Sequence, residues 1–197
     1  MGPIIRLATE DDAAAVQAIY APFCEATPVS FETQAPSVEA MRSRITSTLS
    51  AFPWLIYQVD DRVLGYAYAS KHRERPAYCW SVDVSAYVSD GARGVGIGRA
   101  LYTSLFALLR LQGFTMALAG ITIPNAGSVG LHEAMGFELI GVYRAIGYKC
   151  GAWQDVAWYQ CPLGEQSGEP AEPISLSAAR LSPDWARALG LGLETRD

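Results

Sequence analysis

The chain has 197 residues, 50% hydrophobic and 18% charged, enough for one domain with a substantial core. A net charge of −5 argues against nucleic acid as a partner and suits a small amine better. With no leader-like N-terminus, no apolar run of membrane-spanning length, and four cysteines without C-x-x-C pairing beside only two histidines, the expectation is a soluble cytoplasmic protein with no membrane partner, no metal and reduced, mostly buried thiols.

In chain order, residues 4–8 read as a strand. Thr9, with Asp12 three residues on, makes a capping-box-like start for a helix carrying Ala13, Val16, Ile19, Tyr20 and Phe23. Ser37 caps a second helix running to about residue 51. Residues 54–59 and 63–69 flank Asp60-Asp61-Arg62, a hairpin signal. A long strand over 78–88 ends at a glycine-rich turn, and 98–112 is a helix whose Leu101, Leu105, Leu108 and Leu109 form one apolar stripe, stopped by Gly113. Residues 115–121 read as a buried strand, 126–135 as a short helix closed by Gly136, and 138–144 and 153–163 as the last strands. After residue 163 the composition turns to Gly, Glu, Ser and Pro, a linker, and 182–191 has the pattern of a short amphipathic helix with Ser182 capping, Pro183 first and Trp185, Leu189 and Leu191 apolar. The domain is therefore placed at 1–163 and a C-terminal linker and tail at 164–197; whether that tail docks on a neighbouring subunit or stays loose is open.

The most informative segment is Arg93-Gly94-Val95-Gly96-Ile97-Gly98-Arg99, between the long strand and the leucine-rich helix. Its glycines let the backbone approach a ligand, and the free N–H groups and dipole of the first helical turn attract an anion. A nucleoside triphosphate loop ends in Gly-Lys-Ser/Thr, whereas here Arg99 and Ala100 follow the last glycine. A dinucleotide turn needs G-x-G-x-x-G and an acidic residue about twenty positions on, and neither is present. Arg93, Gly96 and Gly98 meet instead the pattern Arg/Gln-x-x-Gly-x-Gly/Ala, which resembles the coenzyme A pyrophosphate loop of the GNAT superfamily of N-acyltransferases. A plain glycine turn opening a helix is the alternative that the loop alone leaves open.

The resemblance extends along residues 4–163 to the phosphinothricin and methionine-sulfoximine N-acetyltransferases of that superfamily. It is carried by Trp80-Ser81-Val82-Asp83, Ala86-Tyr87-Val88-Ser89, Pro124-Asn125, Leu131-His132-Glu133-Ala134-Met135-Gly136-Phe137, and Arg144-Ala145-Ile146-Gly147-Tyr148-Lys149 with Trp153 and Asp155. It implies an α/β (α+β) GNAT fold, a mixed, partly splayed sheet with helices on both faces, and the order β-α-α-β-β-β-α-β-α-β-β agrees. It also implies acetyl-CoA as cosubstrate, a small amino-acid-like amine as acceptor, and a homodimer.

Forming an amide from a thioester requires that something take the amine's proton. Asp83 is out of place by propensity in an apolar strand, and the related enzymes have an acidic residue, typically Glu, at the matching position. A residue on a solvent face is the competing reading. His132 occupies the place where many superfamily members have a tyrosine that protonates the leaving thiolate, and the phosphinothricin-type enzymes share the substitution. The expectation is a relay of Asp83 and His132, against an ordinary packing histidine. For the cosubstrate the resemblance implies backbone groups of Tyr87 and Val88, the loop residues Arg93, Gly94, Val95, Gly96, Ile97, Gly98 and Arg99, and Asn125 with Ser128 nearby.

Lys71, His72, Arg73 and Arg75 form a cationic cluster in an otherwise acidic chain, suited to the carboxylate or phosphinate of an acceptor or else a solvated loop. Lys71, Arg73 and Arg75 are its expected contacts, and Phe31 and Trp80 resemble apolar pocket residues of that family, with a plain core position as the alternative for either. Where the family often has Lys-His-Gly-x-Trp-His-Asp, this chain has Lys149-Cys150-Gly151-Ala152-Trp153-Gln154-Asp155, so the identity of the amine is open; the alternatives are a protein N-terminus or polyamine as acceptor, or a non-catalytic acyl-CoA-binding protein.

Overall fold

A computed structural model describes residues 2–194, in which seven strands form one sheet of order β1-β2-β3-β4-β5-β7-β6. Residue 1 and residues 195–197, the ends of the assigned domain and tail, lie outside the described residues. The strands are β1 (Ile4–Leu7), β2 (Trp54–Val59), β3 (Arg62–Lys71), β4 (Ser81–Val88), β5 (Met116–Ile123), β6 (Glu138–Lys149) and β7 (Ala152–Pro162). All neighbours are antiparallel except β4 and β5, which run parallel. A parallel pair needs a crossover, and α3 (Ile97–Gln112) supplies it.

Alternation sorts the β2 side chains to two faces: Leu55 and Tyr57 join the core under α3, while Trp54 and Ile56 join the core under α1 (Ala13–Glu25) and α2 (Val38–Leu49). Helices on both faces therefore bury this strand from both sides. The α3 stripe of Leu101, Leu105, Leu108 and Leu109 is fully buried, and Gly113 ends the helix at φ +93°. Thr9 and Asp12 form the expected capping box, now opening a single 3₁₀ turn that leads into α1, and the buried Asp12 also takes a two-pronged bond from Arg6 at 2.7 Å.

Two expectations need correction. The strand foreseen over 78–88 begins only at Ser81, because Pro76 opens a 3₁₀ turn over Pro76–Tyr78. Of the four cysteines, all free, Cys24 and Cys161 are buried, Cys79 is half-buried and Cys150 is exposed. The tail, whose place the sequence left open, packs against its own domain. It continues through α5 (Leu176–Ala179) into α6 (Trp185–Glu194), which packs on α3 of its own domain.

The packed face of α6 is Trp185, Ala188, Leu189, Gly192 and Leu193, without Leu191. Gly192 is its point of closest approach, with its N–H donating to Ser104 Oγ at 3.0 Å while Ser104 donates to the Leu189 carbonyl at 2.8 Å. The linker is pinned as well: the Ile174 N–H donates to the Gln112 carbonyl at 2.8 Å, and Trp80 Nε1 donates to the Ala171 carbonyl at 2.8 Å.

Candidate active site

The site begins where the sheet opens. Strands β4 and β5 pair only through Ser81↔Met116, Val82↔Ala117 and Asp83↔Leu118. Beyond Asp83 they part, although β4 stays paired to β3 as far as Val88 and β5 to β7 as far as Ile123. Backbone groups of 84–88 that turn away from β3 therefore have no strand partner, and an extended ligand with amide groups can bond them. Tyr87 and Val88 lie on this stretch.

On the α3 side of the gap lies a groove of about 580 Å³ walled by β4, the glycine loop and α4 (Ala126–Ala134). Gly94 and Gly96 adopt φ +77° and +89°, which admit glycine readily, and nothing lies within 4 Å of where their Cβ atoms would be. That open space faces the first turn of α3, where the N–H groups of Ile97, Gly98 and Arg99 have no acceptor within the helix. Gly98 serves packing instead, since a Cβ there would stand 2.9 Å from Leu131 Cδ2, and its absence lets α4 close on α3. Arg93 and Arg99 both line the groove; Arg93 pairs with Asp90 at 3.1 Å and lies over the Phe23 ring. Val95 is exposed and outside the groove wall. The arrangement suits a pyrophosphate group.

Asn125 caps α4, its Oδ1 accepting from the Ser128 N–H at 3.1 Å, and both residues line the groove. His132, one turn on, is buried. Its Nδ1 lies 2.7 Å from the Ser128 carbonyl, which can only accept, so Nδ1 carries the proton and Nε2 accepts from the Tyr102 hydroxyl at 3.1 Å. Burial pushes the imidazole pKa down from 6.5, against the opposing bond to Ser128. The unfolded chain thus binds this proton more readily than the folded one, and stability contributed by neutral His132 is lost as pH falls below about 6.5. Urea midpoints measured across that range are expected to drop in the wild type and to drop less in His132→Gln.

On the other face, a pocket of about 740 Å³ is lined by Asp83, Glu32, Phe31, Tyr143, Gly120 and Trp158, among others. Asp83 is the last β4 residue paired with β5, so the pocket's carboxylate stands at the mouth of the gap. Burial raises its pKa above 3.8, while the bond and charge of His72 and the charge of Arg73 pull it back. A small cavity of about 60 Å³ in the gap, walled by Ser85, Tyr87, Gly120, Asn125 and His132 among others, shares residues with both the pocket and the groove.

The structure does not join Asp83 to His132 directly. Asp83 Oδ1 lies 2.7 Å from His72 Nδ1, and His132 has the partners given above. Phe31 lines the pocket and lies against Gly147, where a Cβ would overlap its ring. Lys71 is exposed and pairs with Glu74 at 2.7 Å. The side chains of Arg73 and Arg75 are exposed and make no hydrogen bond or ion pair among the described residues; neither lines the pocket, although the charge of Arg73 reaches Asp83. Trp80 is displaced from its expected place: it lies outside the pocket wall, clasping the linker at Ala171.

Lys149 stood in the sequence only as part of the resemblance, with no role assigned to it. This buried lysine donates to the carbonyls of Phe23, Ser30 and Glu32, closing the loop that carries Phe31. A lysine at the end of an exposed strand reads as solvated, so no local signal marks this role. Trp158 is paired across the sheet with Gly120, and only that register brings its ring to the pocket.

The sequence profile of the acetyltransferase (GNAT) domain matches residues 5–158. The phosphinothricin N-acetyltransferase of Streptomyces coelicolor is 38% identical over 163 residues, covering 81% of this chain and 95% of that protein. An L-methionine sulfoximine/L-methionine sulfone acetyltransferase of Pseudomonas aeruginosa is 37% identical over 108 residues, 55% of this chain and 63% of that protein. Among solved structures, a GNAT superfamily phosphinothricin acetyltransferase from Sinorhizobium meliloti in complex with acetyl-CoA has a TM-score of 0.83 at 36% identity, covering 88% of this chain and 96% of that one. With the splayed sheet, the glycine loop and this match over most of its length, the chain belongs to the GNAT family of acetyltransferases.

Proposed function

We propose that the chain transfers the acetyl group of acetyl-CoA to the amino group of a small amino-acid-like acceptor, of the class of phosphinothricin, methionine sulfoximine or methionine sulfone. The observation that carries this reading is Asp83, a carboxylate at the mouth of a gap between an anion-suited groove on one face and, on the other, a largely apolar pocket that it lines. Acetyl-CoA supplies an acyl carbon activated by a thiolate leaving group. The loop from Arg93 to Arg99 receives the pyrophosphate, and the unpaired β4 backbone at Tyr87 and Val88, with Asn125 and Ser128 opposite, receives the pantetheine amides.

In the pocket, the acceptor's ammonium lies against Asp83 and its acidic group points to Arg73, whose charge reaches Asp83, with Arg75 and Lys71 adding to the field and Phe31 covering the side chain. Asp83 takes a proton from the ammonium, freeing the nitrogen lone pair to attack across the gap. The N–C bond forms as the C–S bond breaks, and the thiolate leaves on the His132 side, taking up the second proton that the nitrogen sheds as it becomes an amide. Neutral His132 keeps that wall ordered through Ser128 and Tyr102; with Asp83 it brackets the reacting atoms as the two ends of the proposed relay.

The exposed side chains of Leu139, Ile140, Tyr143, Ile146, Tyr148 and Trp153 on β6 and β7 support pairing with a second copy into a homodimer. Two small molecules, in the cytoplasm, complete the set of partners we assign besides that copy. No nucleic-acid or membrane partner enters; the charge of −5 favours this, and no helix among the described residues is long and apolar enough to cross a membrane.

The test is thiol release from acetyl-CoA against phosphinothricin, methionine sulfoximine, methionine sulfone, ordinary amino acids, a polyamine and a peptide N-terminus. Turnover confined to amino-acid-like acceptors is the expected result. Turnover with the polyamine or the peptide alone would overturn the acceptor assignment.

A further inference from the structure

His72 belongs by sequence to the cationic cluster with Lys71, Arg73 and Arg75, yet the structure separates it from them. Those three are exposed, whereas the His72 side chain is only 10% exposed. Strand register explains the inward turn. Ser70 pairs with Asp83 across β3 and β4, so the two share a face, and His72, two residues on, returns to that face as the diagonal neighbour of Asp83. Its ring is held edge-on by Tyr78 at 5.8 Å and by Trp158 at 6.1 Å between centroids. One nitrogen is thereby aimed: Nδ1 lies 2.7 Å from Asp83 Oδ1. Among the described residues, Oδ2 has no hydrogen-bond partner.

We propose that His72 is a positioning residue for Asp83: by donating Nδ1–H to Oδ1 from a ring locked between Tyr78 and Trp158, it fixes the carboxylate's rotation and leaves Oδ2 for the acceptor's ammonium. Asp83 lines the pocket and His72 stands behind it, so His72 acts through the carboxylate rather than on substrate. A single-donor clamp is useful here because a carboxylate at the edge of an open gap otherwise rotates freely about χ2. The inference rests on the reading of Asp83 as the proton acceptor.

Two variants separate donation from packing. His72→Phe keeps an aromatic ring between Tyr78 and Trp158 but removes the donor. His72→Asn places an amide N–H near the position of Nδ1 and restores it. Phe is expected to lower kcat on the order of tenfold to a hundredfold, a fraction of what a general base supplies, with KM for acetyl-CoA unchanged, and Asn to recover most of the loss. The pH profile gives a readout that packing does not move. The groups facing Asp83 are His72, Arg73 and Tyr68 nearby, with Glu32, Tyr20, Tyr87 and Tyr143 around the pocket. The His72 bond opposes the upward push of burial on Asp83, so its removal raises that pKa further and moves the acid limb of kcat/KM to higher pH. In the substrate-free protein, imidazole nitrogen shifts are expected to show protonated Nδ1 on His72 and to change in Asp83→Asn.

A His72→Phe protein with wild-type kcat and acid limb, alongside an inactive Asp83→Asn protein, would overturn the role of His72 alone. Equal losses in Phe and Asn with no movement of the limb would do the same, marking His72 as packing only. An active Asp83→Asn protein would overturn the reading of Asp83 and this inference with it.

Discussion

Asp83→Asn is expected to slow acetyl transfer by roughly a hundredfold to ten-thousandfold, the range spanned by a positioned general base, while acetyl-CoA affinity stays unchanged. The groove for the cosubstrate is walled by β4 beyond Asp83, the glycine loop, the first turn of α3 and α4, and the Asp83 side chain is not part of that wall. Asn is isosteric, and its Oδ1 still accepts from His72, so the pocket keeps its shape. Stability should move the other way. Burial holds the Asp83 pKa above its ordinary 3.8, so the folded chain binds this proton more tightly than the unfolded one. A raised carboxyl contributes stability below its unfolded pKa, and that contribution is lost as pH rises through the folded value. At neutral pH the charge is a burden on the fold, and Asp83→Asn should be as stable as wild type or more so. Isothermal titration with acetyl-CoA, steady-state rates and urea unfolding of this one variant check all three statements. A variant that is inactive because it is unfolded would contradict the assignment of a chemical role.

The second large effect lies far from the pocket. Gly192→Ala is expected to destabilise the protein by about 2–4 kcal/mol, despite a gain of roughly 1 kcal/mol in helix propensity. Propensity alone predicts the opposite sign, since Gly192 sits inside α6. The contact decides: a Cβ at this position would overlap the backbone carbonyl of Ala100 in α3, and backbone cannot step aside as a side chain can. Helix α6 must lift, loosening Trp185, Ala188, Leu189 and Leu193 and breaking the Ser104 bonds to Gly192 and Leu189. For a chain of this size each kcal/mol is about 2–4 °C in Tm, so a fall on the order of 5–15 °C is expected in calorimetry. An unchanged or raised Tm would mean that the tail does not pack on α3 as described. Because α3 also presents its first turn to the groove, acetyl-CoA binding is expected to weaken along with stability.

The parts legible in the sequence are those written in local pattern. Three alternating glycines between an apolar strand and a leucine stripe announce the loop, and a charge in the run Val82-Asp83-Val84 marks the carboxylate. The crossover order follows from turn residues and periodicity, so the element types within the domain came out right while ends moved, as at Pro76, and the short helix Leu176–Ala179 of the tail was not foreseen. What local pattern cannot express is which way a side chain turns when tertiary structure decides. Next to three exposed cations, His72 looks like a fourth, and only the β3–β4 register sends it to Asp83. Lys149 looks solvated until a loop from the far end of the chain brings it three carbonyls. In the tail, the sequence pattern offers Leu191 as an apolar residue and says nothing of Gly192, whereas the close contact with α3 needs the glycine and leaves the leucine aside. Trp80 failed similarly, since its partner Ala171 belongs to a linker whose composition says nothing about where it runs.

That the groove and the pocket hold both substrates at once, meeting through the gap beyond Asp83, is tested most directly by initial velocities. Acetyl-CoA is varied at several fixed concentrations of an accepted amine, and the chain's intact mass is read after mixing with acetyl-CoA alone. Converging double-reciprocal lines with no acetylated chain are the expected result. Parallel lines, with an acetyl group left on the protein, would contradict direct transfer through the gap.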